Sequence, residues 1–171
     1  MHDAAFQFYK RELENLKPLD VLEFGSYNIN GSVRDAYPQA KSWWGIDIAD
    51  GPGVDEVADA SQWKTSMAFD VVACAEAFEH TPEWRKIIRN AHHHLKVGGL
   101  FVASCASRDR PPHSAFDGGA VREGEYYANV SPEEMIEFME QLEWHSFDVV
   151  PADGYFGNDD LYIKAIKWQS F

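Results

Sequence analysis

Three carboxylates at the ends of predicted β-strands are well placed to bind a small polar ligand. Glu23 lies at the end of the apolar run Val21–Phe24, Asp47 ends a second strand-like segment, and Asp59 follows a third. Carboxylates accept hydrogen bonds from ammonium and hydroxyl groups, and ligands of open α/β sheets bind where parallel strands end. The three residues therefore predict a binding site at one edge of a sheet.

The loop after the first strand predicts close approach of the backbone to that ligand. Gly25 opens a turn and Gly31 leads into a helical pattern. A strand, a glycine turn and a helix N-terminus form a nucleotide-binding corner, although the same pattern also occurs without a ligand. Asn28 and Asn30 tolerate left-handed backbone conformations, so they are expected to replace further glycines in this loop.

A second group of reactive side chains follows the fourth apolar run. Glu76, Glu79 and His80 come directly after the segment 69–74. A histidine titrates near neutral pH and is a candidate general base, and neighbouring carboxylates are expected to raise its pKa. The alternative is a histidine that only holds the following turn. Two carboxylates are a weak metal signal, and no metal site is predicted.

Alternating strands and helices position these groups. Strands are predicted at residues 20–24, 42–48, 54–58, 69–74, 100–104, 145–150 and 161–168. Helices are predicted at residues 3–16, 32–37, 82–97 and 132–142, the last with a capping box at Ser131. Strands that alternate with helices indicate a parallel sheet covered on both faces. The last two strands have only a loop with Gly154, Gly157 and Asn158 between them, so they are expected to pair as a hairpin.

The order of these segments resembles that of the class I S-adenosylmethionine-dependent methyltransferases. The segments are VLEFGSYNINGS, WWGIDIAD, VDEVADA, FDVVACAEAFEH and HLKVGGLFVASC. The resemblance implies a single α/β domain over residues 1–171. It further implies a doubly wound, mostly parallel seven-stranded sheet in the order 3-2-1-4-5-7-6, with strand 7 antiparallel and helices on both faces. The first loop departs from the family pattern, because it is longer and more polar than a run of closely spaced glycines.

The same resemblance implies S-adenosylmethionine as the cofactor. Glu23 is then expected beside the amino-acid end, Asp47 at the ribose hydroxyls and Asp59 beside the adenine. The alternatives are a solvated turn for Asp47 and an N-cap for Asp59. His80 and Glu76 are expected to be catalytic, beside the transferred methyl group. The implied cofactor-binding residues are Glu23, Phe24, Gly25, Ser26, Asn28, Gly31, Asp47, Ile48, Asp59, Ala60, Cys74 and Ala75.

Specificity for the methyl acceptor is expected in the long irregular stretch Ala106–Val130. A loop of this length inside a compact domain is usually functional or disordered, and a plain surface excursion is the alternative. Its charged and aromatic residues include Arg108, Arg110, His113, Phe116, Arg122, Tyr126 and Tyr127.

Two further features predict neither a metal nor a disulfide. His92, His93 and His94 are consecutive on a helix, so they point about 100° apart and cannot converge on one ion. A solvated face near the helix C-terminus is expected for them, where imidazolium is favourable. Cys74 and Cys105 are expected to be small buried hydrophobic residues.

Composition narrows the class of protein. The 171 residues are 45% hydrophobic and 14% aromatic, which argues against disorder. The net charge of -13 argues against a nucleic-acid partner, because phosphates are bound by lysine and arginine. No apolar run is long enough for a membrane span, and the N-terminal residues lack a signal core, so a cytoplasmic protein is expected.

The sequence therefore predicts methyl transfer from S-adenosylmethionine to an oxygen or nitrogen of a small-molecule or metabolite acceptor. One alternative is an oxidoreductase that binds a nicotinamide cofactor at the same corner, against which the absent G-x-G-x-x-G counts. The other is a non-catalytic interaction module with the same fold. The oligomeric state is not predicted.

Overall fold

The computed structural model describes residues 1–152 and 159–168. Gly154, Gly157 and Asn158 of the predicted hairpin loop lie outside the described residues. The strands are β1 Asp20–Phe24, β2 Ser42–Asp47, β3 Glu56–Val57, β4 Phe69–Ala75, β5 Leu95–Ala106, β6 Trp144–Pro151 and β7 Asp160–Lys167. The helices are α1 Asp3–Leu13, α2 Val33–Ala36, α3 Trp84–His94 and α4 Pro132–Met139, with a 3₁₀ turn at Phe78–His80.

All seven strands belong to one sheet in the order β3-β2-β1-β4-β5-β7-β6. The pairs from β3 to β5 are parallel, whereas β7 runs antiparallel to both β5 and β6. The predicted strand order and the antiparallel β7 are confirmed. The carboxyl ends of β1, β2 and β4 therefore meet at one edge of the sheet, as expected for parallel strands.

Helices cover both faces of the sheet. One apolar core contains Phe8 of α1, Val33 of α2 and Val71 of β4. The other contains Ile88 of α3, Met135 of α4 and Val72 of β4. Successive strand residues point to opposite faces, so an apolar run such as that in β4 is buried on both sides.

The starts of α4 and α3 differ in how well the sequence predicts them. Ser131 accepts the Glu134 backbone N–H at 3.1 Å and Glu134 bonds back, which confirms the capping box. The predicted start of α3 at Pro82 is wrong, because the helix begins at Trp84. Thr81 Oγ1 accepts the N–H of Glu83 at 3.1 Å, within a turn that precedes the helix. Glu79 and His80 therefore lie in the separate 3₁₀ turn Phe78–His80, outside the helix.

Gly98 and Gly99 lie inside β5 and do not form a turn between α3 and that strand. β5 already begins at Leu95, and its pairing with β4 changes register between Phe69 and Val71. Gly98 has a φ of 74°, which a residue with a side chain rarely adopts. The pair therefore forms an irregularity inside β5.

The expectation of a solvated histidine face is wrong for His94. Its side chain is 2% exposed and its ring packs 5.1 Å from that of Trp63. Burial lowers the pKa of His94, so imidazolium is disfavoured there. Cys74 and Cys105 are buried free thiols, as expected. None of the helices within the described ranges has the length and apolar character needed to cross a bilayer.

Candidate active site

A cavity of about 380 Å³ opens at the carboxyl ends of β1, β2 and β4. Its volume falls within the range of small-molecule sites, about 300–1,000 Å³. From the first two strands and their loops, the predicted residues that line it are Glu23, Gly25, Ser26, Gly31, Asp47 and Ile48. From the following segments they are Asp59, Ala60, Ala75, Glu76 and His80. The topology thus brings residues far apart in the sequence to one cavity.

Three residues of the predicted set do not line this cavity. Phe24 is fully buried, with its ring 6.1 Å from that of Trp63, because alternation along β1 turns it into the core. Cys74 is fully buried too, and its carbonyl accepts the Tyr9 hydroxyl at 2.8 Å. Asn28 uses its side-chain oxygen to accept the Gly31 N–H at 2.8 Å, so its amide holds the loop together.

In the loop after β1, the positive φ angles occur at the glycines. Gly25 has a φ of 74° and Gly31 a φ of 128°. Among the described residues other than glycine, only Glu76 and Arg108 have positive φ. The expectation that Asn28 and Asn30 adopt left-handed conformations is therefore wrong.

Glu23 is a buried carboxylate at the end of β1. Its side chain is 2% exposed and its Oε2 accepts the Trp43 indole N–H at 2.9 Å. Burial raises the pKa of Glu23 to about 7, although Trp43 and Arg34 act in the opposite direction. Because a charge so poorly solvated is costly, a cation from a ligand would be a favourable partner for it.

Asp47 is held at the end of β2 by the loops around it. Its Oδ2 accepts the Tyr27 N–H and its Oδ1 accepts the Ala49 N–H, each at 3.0 Å. A carboxylate has about four acceptor positions, so the two oxygens retain capacity for ligand hydroxyls. The loops thus orient the carboxylate towards the cavity that it lines.

Asp59 both lines the cavity and caps the turn that follows it. Its Oδ1 accepts the Ser61 N–H at 2.8 Å, and its Oδ2 accepts the Gln62 amide at 2.9 Å. The carboxylate thus caps a turn and not a helix, because no helix forms over residues 61–66, and the side chain still lines the cavity.

Glu76 belongs to a network of polar side chains behind the cavity. Ser104 Oγ donates to its Oε1 at 2.6 Å, and its Oε2 lies 3.5 Å from His2 Nε2 and 3.8 Å from Arg110. His2 Nε2 also contacts Asp160 Oδ2 at 2.6 Å. Burial acts to raise the pKa of Glu76, but the bonds from His2 and Ser104 prevail and lower it. Glu76 is therefore a fixed charge with φ of 52°, a strained conformation typical of functional sites.

His80 lines the cavity from the 3₁₀ turn. Its ring centroid lies 5.0 Å from that of His113 and 5.5 Å from that of Tyr127. Burial and His113 lower the pKa of His80 to about 4, against the attraction of Glu76. The expectation of a raised pKa is wrong, because burial in this aromatic cluster outweighs the carboxylates.

Comparison with known proteins identifies the fold and the family. The protein family described as "Methyltransferase domain" matches residues 1–147. This chain belongs to that methyltransferase family. The match confirms the resemblance to class I methyltransferases that the sequence indicates. No curated protein matches the chain in sequence.

Solved structures similar to this methyltransferase share its fold at low sequence identity. One is the 1,6-didemethyltoxoflavin-N1-methyltransferase of Burkholderia thailandensis, with bound 1,6-didemethyltoxoflavin and S-adenosylhomocysteine. Its TM-score is 0.69 at 17% identity, over 98% of this chain and 80% of that one. The N-methyltransferase NodS of Bradyrhizobium japonicum, in complex with S-adenosylhomocysteine, has a TM-score of 0.65 at 17% identity over 96% and 86%. An S-adenosylmethionine-dependent methyltransferase of Mesorhizobium loti has a TM-score of 0.69 at 15% identity, over 96% of this chain and 98% of that one.

Several residues of the methyltransferase cavity escape prediction from the sequence. They include Met1, Tyr27 and Ile29. Ile29 is 43% exposed, and single apolar residues are common on surfaces, so the sequence does not distinguish it as a cavity residue. Met1, whose amino group donates to the Asn30 side chain, lines the cavity only because the fold brings it there.

Proposed function

We propose that this chain binds S-adenosylmethionine and transfers its methyl group to an oxygen or nitrogen atom of a small-molecule acceptor. The observation that carries the proposal is the convergence of Glu23, Asp47 and Asp59 on one cavity, in a chain of the methyltransferase family. S-adenosylhomocysteine in two of the similar structures supports the same cofactor.

The residues of the cavity fit the chemistry of this cofactor. Glu23, buried and without a cationic partner within hydrogen-bond distance in the described part of the chain, suits the ammonium of the amino-acid end. Asp47, with free acceptor capacity, suits the ribose hydroxyls. Asp59 and Ala60, together with Ile48, offer polar and apolar surface for the adenine. When bound, the cofactor supplies a methyl group on a positively charged sulfur.

The acceptor would bind on the side of the cavity that His80 and Glu76 line. His80 is the group that contacts the acceptor, and Glu76 holds a negative charge nearby. Phe116 from the segment 107–131 lines the same cavity, which supports the proposal that this segment sets acceptor specificity and excludes water. One similar structure holds the small molecule 1,6-didemethyltoxoflavin, which supports a small-molecule acceptor. That enzyme and NodS are both N-methyltransferases, which supports nitrogen as one of the two candidate atoms.

Calorimetric titration with S-adenosylhomocysteine tests the cofactor assignment. Asp47→Ala should weaken binding of S-adenosylhomocysteine by ~1.5–3 kcal/mol, because the ribose hydroxyls lose a charged hydrogen-bond acceptor. Asp50→Ala is the matched control, since Asp50 is exposed and lies outside the cavity lining. Equal affinities of the two variants would remove Asp47 from the site.

The same titration separates the alternatives. Binding of NAD in preference to S-adenosylhomocysteine would indicate an oxidoreductase. Binding of neither would indicate a non-catalytic module. Release of S-adenosylhomocysteine from S-adenosylmethionine, measured against a panel of hydroxyl and amine acceptors, would then establish turnover.

A further inference from the structure

A cluster of three side chains beside the cavity has the composition of a metal site. Glu79 and His80 come from the 3₁₀ turn, and His113 comes from the segment 107–131. One donor atom from each residue lies within 4.8 Å of the other two. Two imidazoles and one carboxylate form a common protein ligand set for divalent zinc and iron.

The carboxylate of Glu79 is unusual because it is wholly buried and paired with no other described residue. Its side chain is 0% exposed, and neither carboxylate oxygen has a hydrogen-bond partner among the residues that the structure describes. Buried polar atoms are almost always satisfied, so such a group calls for an explanation. A cation bound by this carboxylate would compensate for the hydrogen bonds that burial denies it.

The two histidines are prepared to donate lone pairs. Nδ1 of His80 is buried and likewise has no hydrogen-bond partner within the described ranges. Nδ1 of His113 lies 3.2 Å from the carbonyl of Pro111. A carbonyl can only accept, so His113 Nδ1 carries the proton and Nε2 keeps its lone pair. Metal-ligating histidines are commonly oriented in this way by a backbone carbonyl.

The neighbouring acidic cluster differs in each of these respects. His2, Glu76 and Asp160 also approach one another closely. Arg110, however, bonds Asp160 and lies 3.8 Å from Glu76, while Ser104 donates to Glu76. A guanidinium already neutralises that cluster, so it needs no ion.

From this contrast we propose that Glu79, His80 and His113 bind a divalent transition-metal ion, with zinc as the representative ion. Zinc donors lie about 2.0–2.2 Å from the ion, and small shifts of the three side chains would bring donor atoms within 4.8 Å of one another to that distance. Three protein ligands leave a coordination position open. Because His80 lines the cavity, that position faces the space assigned to the acceptor.

An open position on such an ion selects acceptors that carry an oxygen donor. Zinc lowers the pKa of a bound hydroxyl, so the ion would favour a hydroxyl-bearing acceptor. This role of the ion in methyl transfer rests on the proposed function, whereas ion binding itself does not. Tyr127, 5.0 Å from His113 and 5.5 Å from His80 between ring centroids, would shield the site.

Metal binding can be measured without any acceptor. Protein made without a histidine tag and treated with chelator is titrated with zinc chloride and analysed by elemental mass spectrometry. We expect about one zinc per chain, and a cobalt-substituted sample with the absorption of a low-coordinate site. Glu79→Gln and His113→Asn should each weaken zinc binding by more than about 100-fold. A direct ligand is lost, and loss of a residue that only orients a ligand already costs about 10–100-fold.

Controls keep the result interpretable. His93→Asn changes an exposed histidine on α3 and should leave zinc binding unchanged. His113→Asn alters a half-buried side chain in a loop, so it tests the site even if Glu79→Gln fails to fold. Zinc that does not bind stoichiometrically, or that binds both ligand variants as tightly as the parent, overturns the proposal. S-adenosylhomocysteine titration of the zinc-free protein separates this failure from failure of the proposed function.

Discussion

At the scale of single residues, Glu23 couples the cavity to pH. The pKa of this buried carboxyl is raised to about 7, so in the ligand-free protein it takes up a proton as the pH falls below that value. Only the ionised form attracts an ammonium group. Affinity for S-adenosylhomocysteine should therefore rise as the pH is raised from about 5.5 to 7.5.

Calorimetry across this range, with parent and variants, checks the expectation. Glu23→Gln should bind more weakly at pH 7.5 and lose most of the pH dependence. Glu56→Gln, at an exposed position on β3, should behave like the parent. A parent affinity that stays flat over the range would show that Glu23 does not face the ammonium group.

His80 shows why the chemistry of the site was harder to predict than its position. The sequence places it next to two carboxylates, which on their own favour imidazolium. Burial of the ring, which packs against His113 and Tyr127 from a distant segment, and the proximity of His113 lower its pKa instead. Nothing in the sequence indicates that His113 approaches Glu79, and two carboxylates alone predict no metal site.

At the scale of elements, the turn after β1 depends on one glycine. Gly25 has a φ of 74°, and a Cβ added there would lie 2.9 Å from Cβ of Ala77. Gly25→Ala should lower the free energy of unfolding by more than the ~1–2 kcal/mol of a left-handed alanine, and should also weaken S-adenosylhomocysteine binding.

Gly98→Ala is the matched variant for this comparison. Gly98 has the same φ of 74°, yet an added Cβ meets nothing within 4 Å. In urea unfolding, Gly98→Ala should lose only the free energy needed to hold an alanine in the left-handed conformation. Its affinity for S-adenosylhomocysteine should be unchanged. An equal loss of unfolding free energy in the two variants would mean that the close contact with Ala77 adds no cost in Gly25→Ala.

Elements were predictable where local pattern and tertiary packing agree. The bounds of β1 match the prediction because an apolar run ends at a glycine turn, and α4 starts at its capping box. The predicted starts of α3 and β5 are wrong. A turn occupies the first predicted residues of α3, and β5 begins at Leu95, before the register change in its pairing with β4. Phe24 and Cys74 were assigned to the cofactor by family position, whereas strand geometry turns them into the core.

At the scale of the whole molecule, His2 links the first residues of the chain to β4 and β7. Burial acts to lower the pKa of His2, but its bonds with Asp160 and Glu76 raise it to about 9. A raised histidine pKa stabilises the fold fully below the unfolded value of about 6.5, and this contribution is lost as the pH rises through 9.

Thermal and urea unfolding at several pH values test this link. His2→Gln should lower the free energy of unfolding at pH 7 by about 1 kcal/mol, a small value because solvent screens the partly exposed ring. The difference between parent and variant should disappear near pH 10. His93→Gln, on the exposed face of α3, should reproduce the parent at every pH. A constant difference across the range would show that His2 acts through packing and not through its charge.

The position of β7 has a consequence for how the chain is made. β7 follows β6 in the sequence but lies between β5 and β6 in the sheet, paired with β5 from Leu100 to Ala106. Until β7 leaves the ribosome, the edge of β5 is open and β6 has no partner strand. Open strand edges attract other chains, so the nascent protein passes through a state prone to aggregation. We therefore expect slow translation of the β7 codons, or a loss of chaperones, to reduce the yield of folded protein. The free energy of unfolding of the protein that does fold should stay unchanged.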